Sequence, residues 1–250
     1  MQPAVKQFIE EQIELIEYYK YDELYTLAKE YSRFGMQYWF ISELTQSLHA
    51  AGIFPETDMT YIPTGFLSQD KTIRVLNIPT NITRIGADAF SECSNLTDVT
   101  IPDTVTSIDW NVFYGCTNLD NVVLPDSITE VKHNTFRGCS SLSNIRLSYN
   151  LTTISQGLFV ECSSLKSIVL HEGILTIQRE AFFGCRSLSN VLLPKTLNFI
   201  ESHVFSACGN LTELHYAGTK SEWRKIKKHT GWRDAHPLII HCSDGDIQLK

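Results

Sequence analysis

The feature that most constrains this chain is a period. Phenylalanine returns every 23 residues, at Phe90, Phe113, Phe136, Phe159, Phe182 and Phe205. Cysteine keeps the same step at Cys93, Cys116, Cys139, Cys162, Cys185 and Cys208. A fixed period of about 20 to 50 residues is the signature of a solenoid, where each repeat is too small to bury its apolar face alone and packs it on its neighbours. The period decides the architecture. It leaves the function open, because the residues that repeat are the ones that pack.

Aligned on the cysteine, the repeat reads I-x-x-x-x-F-x-x-C-x-x-L-x-x-V-x-L-P-x-x-I. One apolar column runs Ile73, Leu96, Leu119, Leu142, Leu165, Leu188 and Leu211. The next runs Leu76, Val99, Val122, Ile145, Ile168, Val191 and Leu214, and a third runs from Ile78 to Leu193 with Tyr216 closing it. Two more, Ile82 to Leu197 and Ile85 to Ile200, complete the expected interior. The alternation at the end of L-x-x-V-x-L predicts a short strand at about Asp98–Ile101 and at its equivalents. Pro79, Pro102, Pro125 and Pro194 end these strands, since proline cannot donate to a ladder. A second short strand is expected at Val105–Ile108. The A-F-x-x-C piece is expected to form a tight turn or a single helical turn.

These residues resemble the BspA-like leucine-rich repeats, a bacterial variant with the wording A-F-x-x-C-x-x-L-x-x-V-x-L-P, over about Ile62 to Tyr216. The common leucine-rich repeat wants Asn or Cys three residues after the third leucine. Here those positions hold Thr104, Ser127, Asn150, Gly173 and Thr196, and the cysteine stands ahead of the first leucine instead. The resemblance implies a right-handed, curved solenoid that recognises proteins, in surface-displayed members often by adhesion to host or matrix components. It carries over no catalytic residues. The expected fold is α+β: a right-handed leucine-rich-repeat β-solenoid with a helical N-terminal cap and a small helix-plus-hairpin C-terminal cap.

Six of the seven cysteines are thereby a repeat position, and only Cys242 stands outside. Stacked turns put neighbouring cysteines about 5 Å apart. Side chains in such a ladder point the same way, which is the wrong geometry for a disulfide. A buried ladder of reduced thiols packing as small hydrophobes is the expectation; a disulfide framework and a metal site are the lesser alternatives. His215, His229, His236, His241 and Cys242 crowd the C-terminus but lack the paired spacing of a structural zinc site. No metal and no cofactor are expected. The chain has no phosphate-binding glycine loop, no G-x-S-x-G and no H-E-x-x-H, and a cysteine hydrolase would need an exposed thiol beside a base. No catalytic residue is assigned. Asn81, Asn95, Asn150 and Asn210 head formal glycosylation sequons, but at Asn95 and Asn210 the repeat itself supplies the leucine between.

The net charge of −7 argues against a general nucleic-acid binder. No stretch approaches the roughly 20 apolar residues that span a bilayer. The N-terminus lacks both the basic and the apolar region of a signal peptide, so the expected location is cytoplasmic, with surface or virion association as the alternative. Residues 1–61 carry ten acids against four bases, and helical spacing within 3–54 suggests an N-terminal cap, or alternatively a docking region. The solenoid is expected over 62–217 and a C-terminal cap over 218–250, where seven bases meet four acids. In that cap Thr219 and Glu222 are spaced as a capping box for a helix Glu222–His229. Trp223 falls in the Ile85–Ile200 column by count, Trp232 is placed over the same end, and Leu238–His241 leads through an Asp244-Gly245 turn into a hairpin.

A partner is expected on the side chains between the buried columns of the strand surface. One outward row holds Asn121, Asn144 and Asn190; the other runs Thr100, Val123, Arg146, Val169, Leu192 and His215. Val123, Val169 and Leu192 are apolar where alternation calls for polar residues, which points to an interface; the alternative is that such residues merely suit a strand. The leading expectation is a non-enzymatic module binding a protein. The alternative is a structural or assembly subunit docking through its N-terminal helices.

Overall fold

Apolar residues at alternate positions, cut off by proline, give strands of only two to four residues in the solenoid turns, and stacking one turn on the next supplies their partners. The computed structural model describes residues 60–250 apart from Pro63, Pro79, Ala235, His236 and Lys250. The helices expected within 3–54 lie outside the described residues. Residues 60–250 form one unit, a β-solenoid of about eight turns.

Each turn lays one strand on each of two parallel stacks. The first stack begins with β2 (Val75–Asn77), β4 (Asp98–Thr100), β6 (Asn121–Val123) and β8 (Asn144–Arg146). It resumes with β10 (Ser167–Val169), β12 (Asn190–Leu193), β14 (Glu213–Tyr216) and β16 (Leu238–Cys242), and β17 (Gly245–Leu249) closes it antiparallel. The second stack holds β1 (Tyr61–Ile62), β3 (Arg84–Ile85), β5 (Ser107–Ile108) and β7 (Glu130–Val131). Then come β9 (Thr153–Ile154), β11 (Thr176–Ile177), β13 (Phe199–Ile200) and β15 (Lys227–Lys228). Both stacks lapse at one turn: β8 pairs back to β6, while β9 pairs forward to β11. Most of these strands are one residue shorter than the sequence pattern suggests, β4 ending at Thr100 before Ile101, whereas β12 keeps Leu193, the residue before Pro194, paired with Tyr216.

The A-F-x-x-C segment is a tight turn that pairs as regularly as the strands. Phe90 donates its N–H to the Val112 carbonyl at 3.0 Å, and the step repeats from Phe113 to Thr135 (2.9 Å) and from Phe136 to Leu158 (3.1 Å). Left-handed residues stand two before and two after each phenylalanine, as at Asn134 and Gly138 or Glu180 and Gly184. The rings stack with centroids 5.4 to 5.9 Å apart, the widest step being Phe136–Phe159, at the turn where strand pairing lapses.

Cys242 is free and half-buried, and the six repeat cysteines are buried and free. Each also has a polar task that packing alone would not require: the thiol of Cys139 donates to the Phe113 carbonyl at 3.1 Å, and Cys116, Cys162, Cys185 and Cys208 repeat the bond to Phe90, Phe136, Phe159 and Phe182. Burial pushes Cys93 and Cys208 up to about 12 and raises the other ladder thiols as well. A thiol that cannot ionise is a poor nucleophile.

At the C-terminus, Thr219 caps a helix and Glu222 completes the capping box, but the helix α1 is Lys220–Lys225, shorter than the expected Glu222–His229. The chain leaves it to form β15, whose Lys228 pairs with Ile200. The ladder slot that counting gives to Trp223 therefore belongs to Lys228, since α1 inserts residues into the period. Trp223 is nonetheless core, 2% exposed, against Tyr216 at 5.4 Å and Trp232 at 6.1 Å. Trp232 closes edge-on over Phe205 at 6.0 Å. In the hairpin Cys242 pairs with Gly245, so the two-residue loop is Ser243-Asp244 and not Asp244-Gly245.

Two outcomes test this packing. Ellman's reagent should titrate Cys242 alone in the native protein and seven thiols after denaturation; rapid native reaction of more than one thiol would break the buried-ladder account. Gly184 has φ +73°, and a Cβ there would lie 3.3 Å from Glu161 Cγ. Gly184→Ala should therefore lower the unfolding free energy by about 1 to 2 kcal/mol in a denaturant titration.

Candidate functional site

Side chains that alternate with the core on β4, β6, β8, β10 and β12 project outward, so the sequence row becomes a physical one. Val123 stands beside Arg146 and Val169 beside Leu192, each pair in register. Val123 is 56% exposed, Val169 63% and Leu192 37%. Thr100 and the amides Asn121, Asn144 and Asn190 are exposed beside them. His215 is half-buried, because its ring stacks on His241 at 4.9 Å.

The structure adds residues that the alternating pattern does not reach. Tyr149, 63% exposed, stands just past the end of β8. Its ring lies 5.3 Å under the Arg146 guanidinium and 5.2 Å from His171, edge-on. Arg146 Nη2 donates to both carboxylate oxygens of Asp126 at 2.9 Å, and Nη1 donates to the Leu124 carbonyl at 3.0 Å. The Tyr149 N–H donates to Asp126 at 3.1 Å, and this bond, followed by Arg146, holds the Asp126 carboxyl below its ordinary range. Arg146 and Tyr149 are thus held in place by contacts within the chain.

A signal for them does exist in the sequence. Where neighbouring turns have Pro102-Asp103 and Pro125-Asp126, this turn has Ser148-Tyr149 and the next has His171-Glu172. Losing the proline is structurally covered. The Ser148 hydroxyl donates to the Ile128 carbonyl at 2.6 Å, the task that Thr104 and Ser127 perform for Ile82 and Val105. Tyr149 and His171 bridge the two turns between which β8 and β10 fail to pair.

A cleft of about 570 Å³ opens at the other end of this surface, lined among others by Thr100, Asp103, Val123, Pro125, Asp126 and Arg146. Such a volume lies within the range of ligand-sized clefts, about 300 to 1,000 Å³.

The C-terminal histidines come partly together. His241 Nδ1 lies 2.9 Å from Asp246 and Nε2 lies 3.1 Å from Glu213, and these carboxylates raise the His241 pKa above the ordinary 6.5, Asp246 most. Among the described residues no group of three or more ligating side chains is placed to hold a metal. A pKa raised in the folded state means that the contribution of this contact is complete below about 6.5 and is lost as pH climbs through the folded value. In an NMR titration His241 should titrate above 6.5, and Asp246→Asn should bring it down; an unchanged midpoint would remove the Asp246 contact.

The comparisons with known proteins agree with this geometry. The family model described as BspA type leucine rich repeat region matches in six copies, over residues 60–179 and 152–229. No curated protein matches the chain at a significant level. A leucine-rich repeat protein from T. pallidum is similar at 31% identity and TM-score 0.57, covering 62% of this chain and 72% of its own. One from Eubacterium ventriosum is similar at 26% identity and TM-score 0.57, covering 70% of this chain and 48% of its own, so this chain spans about half of that relative's length. One from Bacteroides ovatus, 23% identical with TM-score 0.52 and covering 69% and 55%, shares the fold. With the repeat matched over more than half its length, the chain belongs to the BspA-type leucine-rich repeat family.

Proposed function

We propose that the chain is a non-enzymatic protein-interaction module and that its protein partner docks across the outward surface of β6, β8, β10 and β12. The observation that carries this reading is the clamped pair Arg146 and Tyr149 standing among exposed Val123, Val169 and Leu192. Tyrosine and arginine dominate interface hot spots, and they do so inside patches that exclude water. An isolated apolar side chain on a strand calls for no explanation. Five side chains that set Val123 on one side and the Val169–Leu192 pair on the other side of a preordered aromatic–cation contact form a patch of the kind that marks interaction sites.

The six repeat cysteines argue for the same class from the other side. Their thiols are buried and raised above the ordinary range, so six of the seven cysteines are committed to the core.

Affinity capture from the native host, run in parallel with variants, tests the reading. Val123→Glu with Leu192→Glu should weaken retention of the partner at least about tenfold, as loss of two central contacts does. The melting temperature should stay unchanged, because both side chains face solvent. Thr152→Glu, exposed next to β9 of the second stack, should retain the partner. Equal capture by the double variant and the wild type would move the site off this surface.

A further inference from the structure

The cleft beside Val123 carries an unbalanced charge. Of its two carboxylates, Asp126 is answered by Arg146. Asp103 is exposed and has no hydrogen bond or ion pair among the described residues. The Thr100 hydroxyl, which lines the same cleft, is likewise unpaired. Between them the wall is apolar, formed by the exposed Val123 and by Pro125 and Val99.

We infer that this cleft receives a lysine or arginine side chain of an extended partner segment, its charged head on Asp103 and its aliphatic stem along Val123 and Pro125. The inference rests on the interaction-module reading and names the chemistry of one contact within it. Lysine and arginine are amphipathic in the required sense, since they lay their methylenes on apolar surface while the head stays with polar groups. A partner anion is disfavoured, because the only unpaired charge lining the cleft is negative. A neutral polar side chain would leave the Asp103 charge unanswered.

Arg146 sets the position. By neutralising Asp126 it removes the second carboxylate as a competing anchor, leaving one attractive point at the end of the apolar row. A segment crossing the turns from Asp103 toward Leu192 would then meet a charge first and Tyr149, Val169 and Leu192 afterwards. Its expected pattern is one basic residue followed by apolar or aromatic ones.

A phage-displayed random peptide library selected on the full-length wild-type protein tests this. Enriched peptides should share a lysine or arginine at one position, and that preference should vanish when selection is repeated on Asp103→Asn. A synthetic enriched peptide should bind wild type about tenfold tighter than Asp103→Asn, and replacing its basic residue by norleucine should cost wild type about the same factor and Asp103→Asn nothing. Asp103 has no partner among the described residues, so the variant should melt with the wild type. Peptides that lose binding to Val123→Glu with Leu192→Glu but share no basic position would overturn the inference and leave the interaction surface standing. Peptides unaffected by that double variant would overturn the surface itself. Failure to enrich any sequence would overturn both.

Discussion

Everything in the solenoid depends on keeping one turn in register with the next at the A-F-x-x-C bend. There the chain reverses within a few residues, and its N–H groups still find partners because they reach the carbonyls of the following turn. Left-handed residues on either side of each phenylalanine make the bend tight enough for this. The bend would be costly without a filling, and the phenylalanine ring provides it, stacked 5.4 to 5.9 Å from the next. The cysteine fits the same logic. A small side chain is required beside the ring, and its S–H also gives the phenylalanine carbonyl of the neighbouring turn a second donor. Register is therefore fixed twice, by apolar shape and by hydrogen bonds along the turn, and the strands can afford to be very short.

That double fixing explains why the architecture was legible and where legibility ended. A column such as Phe90 to Phe205 announces itself because every turn faces the same neighbours, so the same residue solves the same problem. The outward row from Thr100 to Leu192 followed by subtraction. Tyr149 and His171 did not, because they sit past the strand, where alternation no longer says which way a side chain points. They were visible only as breaks in the proline column, and a break by itself does not say whether packing or binding caused it. Ser148 decides this physically: its hydroxyl makes the bond to Ile128 that Asn150, at the usual threonine or serine position, does not make because its amide donates to the Asp126 carbonyl. The turn is repaired around the substitution, and Tyr149 is left facing solvent. The register of the cap failed for a different reason. Counting by 23 assumes that nothing is inserted, and α1 shifts the ladder slot from Trp223 to Lys228.

The lapse in strand pairing beside Tyr149 follows from the same division of labour. Phenylalanine stacking and the bend carry the solenoid across that turn, so the two strand stacks can lapse there without opening the core; Phe136 and Phe159 remain stacked at 5.9 Å. A surface on which backbone pairing lapses after β8, while the core beneath stays continuous, holds Tyr149 past the strand end, while Arg146 keeps its ladder register with Val123. Binding residues can thus differ between turns without weakening the scaffold, which is the advantage of one-dimensional folds over a single packed core.

Lys228 shows how such a fold is stopped. A ladder that ended on isoleucine would present an apolar rung and an open strand edge, the usual template for adding another chain. Here the last residue of the Ile85–Ile200 column is a lysine, whose ammonium donates to the Trp223 and Ile226 carbonyls at 2.7 Å each and lies 4.6 Å from the Trp223 ring. Burial lowers it to about 8, and those carbonyls and the ring face are what keep a cation in the column at all. A further turn stacked on β15 would have to bury this ammonium against an apolar neighbour, at the cost that falls on any unpaired buried charge. On the first stack the antiparallel β17 ends the parallel order by reversing it. The two stacks are closed by different means, one by charge and one by direction. A solenoid built by repetition needs residues that break the repeat to end it, as it needs others to give its surface a meaning.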